Sequence, residues 1–565
     1  MTPLPSVMGW LIAGSLAQCY NTPQHLLLHM SSGAISVLEM RVLDANTAYL
    51  GIDSRILMEN AGRGVAQVVL SKWPEAKRIL VVAGLGNNGG DGIVAGRYLY
   101  NSGREVVVIL LGKVSDLTEE PAATNLKICL NLLGCRILEA RDEIELLAYQ
   151  DYFVKWADVI IDAVFGIGIR GRIRQPASAA IDLMNMSKAP KVAVDVPSGM
   201  DPDTGEVTDK AVKADVTVTM HRAKRGLVTE GAKQYVGELV VVDIGIPREA
   251  ELIAGPGDLL HLNYARRPDS KKGDFGRIAI IGGSREYTGA IALTALASLV
   301  TGADLPIVYA PHEVAHDIRS QTPNLIAVPL EGEVLSRDNV GPVLKGIERA
   351  NVVAIGPGLG LERETMEAVY IILEAAGKLG KRVVIDADAI KAIGAGKRLN
   401  LLRQGMVLTP HAGELRELIG VEVPKATPLE LGQWLTEQVS RYCQGSVVLL
   451  KGNVDVISDG SRFKLNMTGN PGMTVGGTGD VLTGVLATML HRVNDPFEAA
   501  AIAAFVTGAA GDLAALELGY HITPLDVVNK IPKVFSIFKN SKEVVKEAIH
   551  KPLREYLSRR GLLNG

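Results

Sequence analysis

The chain has 565 residues, of which 47% are hydrophobic and 21% charged, and its formal net charge is −3 at pH 7. This length predicts two or more domains, and the small net charge without a long basic run argues against a nucleic-acid partner. The four cysteines form no C-x-x-C pair, so the sequence predicts neither a zinc site nor a disulfide framework and fits a reducing cytoplasm.

Two apolar stretches raise the question of a membrane partner, and neither favours one. Residues 1–34 lack the basic region that precedes the apolar core of a signal peptide, so we expect a disordered extension or an early start codon. Residues 497–519 are rich in alanine and contain Asp512. We expect them to form a helix buried in an α/β core rather than a membrane span.

From Ile35 to Ile246, apolar strand-like runs alternate with helical stretches, a pattern typical of a parallel sheet covered on both faces. The predicted strands are 78–83, 105–111, 157–162, 191–196, 215–219 and 238–243, and predicted helices include 54–71 and 91–102. Residues 247–268 contain Pro and Gly without a long periodic segment, which predicts a domain boundary.

The alternating pattern restarts after this boundary. Predicted strands are 276–283, 350–355, 382–386, 405–409 and 446–450, followed by a hairpin over 454–466 closed by Asp459-Gly460. The last 30 residues are rich in Lys, Arg and Glu and predict a solvated helix. The fold class expected for both halves is therefore α/β.

The stretch VVAGLGNNGGDG, residues 81–92, resembles a dinucleotide-binding loop, since Gly84, Gly86 and Gly89 satisfy G-x-G-x-x-G. An NAD site would need a carboxylate at the tip of the following strand, where Gly112-Lys113 stands instead. The glycines are also compatible with a simple tight turn. The loop suits a phosphate-bearing ligand, but NAD as a cofactor lacks its anchor.

Oxygen donors end three predicted strands of the first half: Asn88 with Asp91, Asp162, and Asp195 with Ser198. Each Asp alone is more often a cap or turn residue. In an open parallel sheet, however, all three strand ends meet at the ligand-binding edge. Hard oxygen donors suit a group I or II cation rather than zinc or copper.

Five motifs in order resemble NAD(P)H-hydrate epimerases: LMENAG (57–62), GNNGGDG (86–92), DAVFGIGIRG (162–171), DVPSGMD (195–201) and VDIGIP (242–247). That family acts on NADHX and NADPHX, nicotinamide nucleotides in which water has added across a double bond of the ring. The resemblance implies a potassium ion at Asn88, Asp162 and Ser198. It implies that the hydrate contacts Asn87, Asn88, Gly89, Gly90, Asp91, Gly166, Ile167, Gly168, Ile169, Arg170, Gly171, Arg172 and Asp195.

Epimerisation at a hydroxylated ring carbon needs a reversible transfer of a proton or water beside the ring nitrogen. A positioned carboxylate can act as the general acid or base. We expect Asp195 to take that role, with Asp91 as the competing candidate.

The stretch TVGGTGDVLTG, residues 474–484, places glycines before a predicted helix with Asp480 in its first turn. A helix N-terminus with free N–H groups binds anions, and Asp480 could accept a proton from a substrate hydroxyl; a mere helix cap is the alternative. His411 follows a strand, where a single His is more often structural. Lys451 ends another strand and could meet a phosphate.

Six stretches of the second half resemble ADP- or ATP-dependent NAD(P)H-hydrate dehydratases, which have a ribokinase-like fold: 271–290, 356–360, 385–390, 409–414, 450–455 and 469–484. The resemblance implies that Ala290, Gly358, His411 and Asp480 contact the hydrate. It implies that the adenine nucleotide contacts Lys451, Gly452, Asn453, Val454, Asp455 and Gly479. Pro306 departs from the family's plain strand and puts the local strand geometry in doubt.

The resemblances together imply a bifunctional isomerase and lyase that repairs nicotinamide nucleotides. A Rossmann-like three-layer epimerase domain covers 35–247, a linker 248–265, a ribokinase-like dehydratase domain 266–540, and a charged C-terminal helix 541–565. K⁺ would serve the first domain, and Mg²⁺ with ADP or ATP the second. We also expect a cytoplasmic homo-oligomer. Two hypotheses compete with this one: a vitamin or sugar kinase of ribokinase-like fold with a non-catalytic N-terminal binding domain, and a first half that only docks a protein or RNA.

Overall fold

A computed structural model describes residues 33–167, 171–262 and 266–540 of the chain. Cα packing separates residues 1–34 from one compact body, 35–565, and the fold below is that of the second body. The expected N-terminal extension, except Gly33 and Ala34, and the expected helix at 541–565 lie outside the described residues.

The first sheet has seven strands within the described ranges, all parallel, in the spatial order β3-β2-β1-β4-β5-β6-β7. They are β1 Arg78–Ala83, β2 Glu105–Leu110, β3 Cys135–Glu139, β4 Val159–Ala163, β5 Lys191–Val194, β6 Val216–Met220 and β7 Glu238–Val242. The direction of strand order reverses between β1 and β4, as in the dinucleotide-binding fold, and this reversal opens a crevice at the carboxyl ends of the strands. The Rossmann-like prediction is confirmed.

Helices cover both faces of this sheet. They are α1 Val37–Tyr49, α2 Ser54–Lys72, α3 Asn87–Asn101, α4 Ala122–Leu130, α5 Glu143–Ala148, α6 Ala177–Met186, α7 Lys233–Val236 and α8 Glu249–Leu252. Successive side chains of β1 enter opposite cores: Val81 packs with α2 and α3, whereas Leu80 and Val82 pack with α6. Both faces are therefore apolar, which explains why the strands read as continuous apolar runs.

Three details differ from the sequence predictions. The helix after β1 begins at Asn87 rather than Asp91, because Gly86 is extended and caps it. Edge strand β3 was not predicted, since its side chains are mostly half-buried. Cys129 and Cys135 form a disulfide, with Cα atoms 5.8 Å apart. The prediction of no disulfide was wrong because C-x-x-C spacing does not detect a bond between a helix end and the strand beside it.

The second sheet has nine strands in the part of the chain described, in the order β10-β9-β8-β11-β12-β13-β14-β15-β16. They are β8 Arg277–Ile281, β9 Leu305–Pro311, β10 Ile326–Leu330, β11 Val352–Ile355, β12 Arg382–Ile385, β13 Met406–Leu408, β14 Val447–Leu450, β15 Asp455–Ser458 and β16 Phe463–Asn466. Strands β15 and β16 form the predicted antiparallel hairpin. Pro306 lies within β9 opposite Ile278, so the strand continues through the proline.

The helices of the second half are α9 Thr288–Thr301, α10 His312–Gln321, α11 Gly341–Arg349, α12 Arg363–Lys378, α13 Ala387–Ala395, α14 Ala412–Ile419, α15 Pro428–Tyr442, α16 Thr478–Arg492, α17 Pro496–Leu518 and α18 Pro524–Asn540. Helix α17 is long and apolar enough to cross a membrane. However, 83% of its apolar 18-residue segment is buried within the protein. The prediction of a buried core helix is confirmed.

Candidate active sites

The structure brings the first group of predicted residues to the carboxyl ends of three neighbouring strands. The stretch from Asn87 to Asp91 forms the first turn of α3 after β1, Gly166 and Ile167 follow β4, and Asp195 follows β5. Gly171 and Arg172 continue the loop after β4 and are exposed. Gly168, Ile169 and Arg170 lie outside the described residues. The group sits where the strand order reverses, which is where such sheets bind ligands.

Two of the three glycines of the dinucleotide-like motif, Gly84 and Gly89, are required by close packing, whereas a Cβ on Gly86 would meet no neighbour. A Cβ on Gly84 would clash with the carbonyl oxygen of Val164, and a Cβ on Gly89 would clash with the carbonyl oxygen of Gly84. These contacts hold the β1–α3 turn against the end of β4. The G-x-G-x-x-G spacing is therefore explained by a tight turn at the crevice and does not by itself identify a cofactor.

Asp162 and Ser198 form a buried pair beneath the α3 turn. The Ser198 hydroxyl donates to Asp162 Oδ1 at 2.6 Å, and the Ser198 amide donates to Oδ2 at 2.8 Å. Burial raises the pKa of Asp162 to about 6, although these hydrogen bonds act in the opposite direction. Within the described residues, the hydrogen-bond partners of this carboxylate are Ser198 and Val164 rather than a cationic side chain.

Asn88 completes this group of oxygen donors. A Cβ on Gly166 would lie 3.2 Å from Asn88 Oδ1, so the asparagine side chain reaches the loop after β4. Its Nδ2 is buried and has no hydrogen-bond partner in the described parts of the chain. A buried amide without a partner is costly unless a ligand or water satisfies it. The donor set is compatible with a weakly charged cation.

Asp195 has a strained backbone and a buried ion pair. Its φ is 65°, an uncommon value for a residue other than glycine, and such strain clusters at functional sites. The fully buried Lys224 donates to Asp195 Oδ1, as do the Thr219 hydroxyl at 3.0 Å and the Met220 amide at 3.2 Å. In the described structure all these bonds end on Oδ1, which leaves Oδ2 for a ligand.

Two more carboxyl groups interact electrostatically with the same lysine. Burial raises the pKa of Asp91 well above its usual value, and the charges of Asp195 and Asp44 raise it further. Burial also raises the pKa of Asp44 to about 6, which Lys224 partly opposes. Burial and the neighbouring carboxylates thus raise the pKa of both acids, whereas Lys224 lowers it. An acid with a raised pKa beside a second carboxylate is an arrangement that epimerisation by proton transfer can use.

Sequence reasoning missed Asp44 and Lys224. Asp44 lies on α1, ahead of every recognised motif. Lys224 follows β6, and a single Lys after a buried strand is the same signal that singled out Lys451 in the second half. That signal could have found Lys224.

The second group of predicted residues lies at the carboxyl ends of consecutive strands of the second sheet, again beside a reversal of strand order, between β8 and β11. Gly358 follows β11 with φ 63°, and a Cβ there would lie 2.8 Å from Tyr287 Cβ and 3.3 Å from Ala290 Cβ. Ala290, in the first turn of α9, and Gly358 are therefore in contact across the reversal. A side chain larger than hydrogen at 358 would fill this crevice.

Asp480 lies in the first turn of α16, after a cap formed by Gly477 with φ 103°. The pKa of Asp480 is raised to about 7. Burial is the largest cause, the charges of Asp386 and Asp388 act in the same direction, and the charge of Lys451 opposes them. A Cβ on Gly479 would lie 3.5 Å from Lys451 Nζ. The anion-binding helix end, an acid that titrates near neutrality and a lysine thus meet in one place.

Asp386, which sequence reasoning did not assign, organises this site. Its Oδ1 accepts from Lys451 Nζ at 3.0 Å and from the Thr409 hydroxyl at 2.8 Å, and its Oδ2 accepts from the Thr483 hydroxyl at 2.8 Å. Burial lowers the pKa of Lys451, but the charges of Asp386 and Glu414 outweigh it and the net shift is upward. Lys451 therefore stays charged. The sequence signal that could have identified Asp386 was its position directly after a buried strand, in IDADAI (385–390).

His411 has the structural role that its position favoured. Its Nδ1 accepts from the amides of Gly413 at 3.0 Å and Glu414 at 3.2 Å and caps α14. Nδ1 is therefore unprotonated. The side chain is 58% exposed, and its Nε2 lies 3.4 Å from Glu414 Oε1.

The loop from Lys451 to Asp455 is a tight connection between β14 and β15. Gly452 N donates to Asp455 Oδ1 at 3.0 Å, and Asn466 Nδ2 donates to Oδ2 at 2.9 Å. Asp455 therefore shapes the loop, whereas Gly452 and Asn453 are exposed and Val454 is half-buried. Exposed backbone at a strand end can receive the nucleotide that the resemblance implies.

Comparison with known proteins agrees with this arrangement of two sites. Residues 54–226 match the family described as YjeF-related protein N-terminus, and residues 278–533 match NAD(P)H-hydrate dehydratase. The chain is 54% identical over 502 residues to the bifunctional NAD(P)H-hydrate repair enzyme Nnr of Pyrobaculum aerophilum, covering 89% of this chain and 98% of that protein. It is 40% identical over 513 residues to the Nnr of Methanothermobacter thermautotrophicus, covering 90% and 96%.

A solved structure of ADP/ATP-dependent NAD(P)H-hydrate dehydratase from Bacillus subtilis, co-crystallised with ATP/Mg²⁺, is 25% identical. It covers 51% of this chain and 98% of its own, with a TM-score of 0.42. This chain has two α/β folds with one candidate site on each sheet. The chain belongs to the bifunctional NAD(P)H-hydrate repair enzymes, which pair an epimerase with a dehydratase. The alternative of a kinase with a non-catalytic N-terminal domain is not supported.

Proposed function

We propose that residues 35–247 interconvert the R and S forms of NADHX and NADPHX and that residues 266–540 dehydrate the S form at the expense of ADP or ATP. Residues 248–265 join the two domains. The observation that carries this proposal is the position of Asp480, at the first turn of α16 beside Lys451, with a pKa of about 7. Such an acid can accept a hydroxyl proton at neutral pH, which a dehydratase that first activates the hydroxyl requires.

In the first domain, Asp195 exchanges a proton with the hydrated ring through Oδ2, while Lys224 and Thr219 hold Oδ1. Asp91, whose pKa burial raises well above its usual value, is the second acid of the site. The first turn of α3 and the loop from Gly166 to Arg172 bind the phosphate and ring of the substrate. Support comes from their position at the reversal of strand order.

A potassium ion fits beneath the first turn of α3. Asp162, Ser198 and Asn88 would hold it with carboxylate, hydroxyl and amide oxygens, since Asn88 Oδ1 and Ser198 Oγ both lie beside the loop that follows Asp162. A single carboxylate suits K⁺ better than Ca²⁺, which usually gathers more carboxylates. Bound there, the ion would supply a positive charge near the substrate.

In the second domain, hydroxide is a poor leaving group, so the ring hydroxyl is first phosphorylated. The hydroxyl oxygen attacks the terminal phosphorus of ADP or ATP, its proton passes to Asp480, and AMP or ADP departs. The amides at the start of α16 stabilise the charge on the moving phosphoryl group. Loss of phosphate together with a ring proton restores the nicotinamide ring. The hydrate side of the site is lined by Ala290, Gly358 and His411. The nucleotide side is lined by residues 451–455 and Gly479.

Mg²⁺ fits this site as a partner of the nucleotide. Among the residues described, no group of three or more His, Cys, Asp or Glu side chains forms a metal cage. Mg²⁺ is usually held by one or two carboxylates together with substrate phosphates, so the few carboxylates beside α16 are sufficient. Bound there, the ion would neutralise charge on the phosphates.

We also propose a cytoplasmic homo-oligomer. The location follows from the substrates, which derive from the cell's own nicotinamide nucleotides. Because Cys129 and Cys135 are bonded, the cysteines do not support a reducing compartment.

The test uses mixed R and S hydrates with the purified chain and records NADH absorbance. With ADP or ATP, we expect the whole mixture to be converted. Without nucleotide, we expect no NADH, although enriched R hydrate should still equilibrate with the S form. If only the S fraction were recovered in the presence of nucleotide, the first domain would not be an epimerase.

A further inference from the structure

Asp512 places a carboxyl group in the interior of an apolar helix. Helix α17 is composed mainly of Ala and other apolar residues, and Asp512 within it is buried. Burying a polar group in such surroundings costs free energy unless hydrogen-bond partners satisfy it. The partners of Asp512 therefore show what this part of the helix holds in place.

Both oxygens of Asp512 accept hydrogen bonds from the segment that follows β16. Gly469 N donates to Oδ2 at 3.0 Å, and Asn470 Nδ2 donates to Oδ1 at 3.0 Å. Asn470 Oδ1 in turn accepts from Gly472 N at 3.0 Å and caps a single turn of 3₁₀ helix over Pro471–Met473. The Asn470 side chain is thus held by Asp512 on one side and by this turn on the other.

The surface of α17 is shaped to receive the same segment. A Cβ on Gly508 would lie 2.2 Å from Thr468 Oγ1, and a Cβ on Gly511 would lie 2.1 Å from Met473 Sδ. A side chain at either glycine would therefore displace the segment. The Thr468 hydroxyl also lies 3.2 Å from Phe505 O, to which it donates. The segment lies directly on the helix.

The far end of the segment is joined to the anion-binding end of α16. The Thr478 hydroxyl donates to Met473 O at 2.9 Å and to Val475 O at 3.2 Å. Thr478 is the first residue of α16 and directly precedes Gly479 and Asp480. The position of the nucleotide-contacting glycine and of the proposed base therefore depends on where Met473 is held.

The near end of the segment supports the opposite wall of the nucleotide site. Asn466, the last residue of β16, donates through Nδ2 to Asp455 Oδ2 at 2.9 Å and to Ala504 O of α17 at 3.2 Å. Asp455 closes the loop 451–455, as described above. Helix α17 therefore supports both the loop and the helix end that the proposed function assigns to the nucleotide.

We propose that Asp512 is a positioning residue of the dehydratase site, which holds the anion-binding end of α16 in place through Asn470. The inference rests on the assignment of nucleotide-dependent dehydration to the second domain. Asp512 acts through the segment 469–473 rather than on the reacting atoms. Its effect is preorganisation: amides that must stabilise a moving phosphoryl group act only when they are already aimed at it.

The test exchanges the two hydrogen-bonded side chains in the full chain. Dehydration of pure S hydrate is followed as NADH absorbance while the concentration of ADP or ATP is varied. Asp512→Asn places two amide groups together, and Asn470→Asp places two carboxyl groups together, so each change alone disrupts the pair. Each should raise the nucleotide KM and lower kcat, with kcat/KM down on the order of tenfold, since small displacements at a reacting site cost this much or more.

The decisive variant combines Asp512→Asn with Asn470→Asp. The new amide at 512 can accept from Gly469 N and donate to the new carboxylate at 470, which can still accept from Gly472 N. The hydrogen bonds are then restored with donor and acceptor exchanged. The combined variant should recover kcat/KM to within about threefold of the parent, because the two changes are coupled.

Thr507→Val is the matched control on the same helix. The Thr507 hydroxyl is buried and has no hydrogen-bond partner in the described parts of the chain, and valine has nearly the same shape. This variant should keep the parent's nucleotide KM and kcat. Epimerisation of R hydrate should also be unchanged in every variant of the series, since the first domain is not altered.

The nucleotide KM separates positioning from a purely structural role, because KM does not depend on how much of the protein is folded. Two results would overturn the inference: Asp512→Asn with the parent's nucleotide KM and kcat, whatever its melting temperature, or a combined variant no better than the weaker single one. If Asp512→Asn does not fold, Asn470→Ala must raise the nucleotide KM instead, and a parental KM there would equally overturn it. Failure of the function assignment looks different, because then the unaltered chain would form no NADH from S hydrate with either nucleotide.

Discussion

Lys224 Nζ forms a buried ion pair with Asp195 Oδ1, and the lysine side chain is fully enclosed by the first domain. The same Oδ1 accepts hydrogen bonds from Thr219 and Met220. This pair fixes one oxygen of the proposed catalytic carboxylate, and within the described residues Lys224 is the cationic partner of Asp195.

Lys224→Met should therefore damage both stability and epimerisation. Removing one partner of a buried pair typically costs about 3–5 kcal/mol of unfolding free energy, because the other charge is left uncompensated. We expect that loss in denaturant unfolding and a large fall in epimerisation of R hydrate. Lys210→Met is the matched control, since Lys210 pairs with Asp182 at the surface and such pairs contribute at most about 1 kcal/mol. Equal effects of the two changes would contradict the role of Lys224.

The proposed potassium site predicts an ion-dependent epimerase. Asp162→Ala removes the only carboxylate of the donor set, so epimerisation should fall and become indifferent to replacing K⁺ by tetramethylammonium. Dehydration of pure S hydrate should not change. Asp158→Asn, at the opposite end of β4, is the control and should keep the parent's response to K⁺. An unaltered chain that epimerised equally fast without potassium would refute the site.

The pKa of Asp480 predicts the pH dependence of dehydration. Its pKa is raised from 3.8 to about 7, first by burial. Since the group must be deprotonated to accept a proton, the rate should fall about tenfold per pH unit below neutrality. Lys451 lowers this pKa, so Lys451→Gln should move the acid limb to higher pH. A rate that stayed flat from pH 5 to pH 8 would exclude Asp480 as the base.

The raised pKa of Asp480 also predicts how the stability of the fold depends on pH: stability should fall as pH rises, whereas the dehydration rate should rise. A carboxyl group with a raised folded-state pKa opposes folding once it is charged. Its favourable contribution is complete below the unfolded pKa and is lost as pH rises through about 7. Asp480→Asn should therefore raise the melting temperature at pH 8 and leave it unchanged at pH 4, while abolishing dehydration. A lower melting temperature at pH 8 would show that Asp480 is a structural cap.

Much of the fold could be predicted because the central strands are buried on both faces. Strands β1, β4, β12 and β14 appear as apolar runs between glycine-rich turns. Edge strands β3 and β10 lack that pattern, since their side chains are mostly half-buried or, in β10, include Pro329. Partial burial weakens the apolar signal on which such a prediction depends.

The sites were predictable where a motif carries several constraints at once. Glycines that prevent clashes, as at Gly84 and Gly89, leave a spacing that can be recognised. Lys224 and Asp386 follow buried strands, which is a usable but weak signal, and Asp44 carries no such signal; each acts as a single charge whose neighbours come from distant parts of the chain. Their roles depend on tertiary contacts that one sequence does not record.

The most direct test of the central claim separates the two activities and then recombines them. Asp195→Asn should convert S hydrate to NADH with ADP but leave R hydrate unused, and Asp480→Asn should interconvert the hydrates without forming NADH. An equal mixture of the two variants, given pure R hydrate and ADP, should recover NADH completely. If the mixture formed no NADH from R hydrate although Asp195→Asn still used S hydrate, the two-site account would be contradicted.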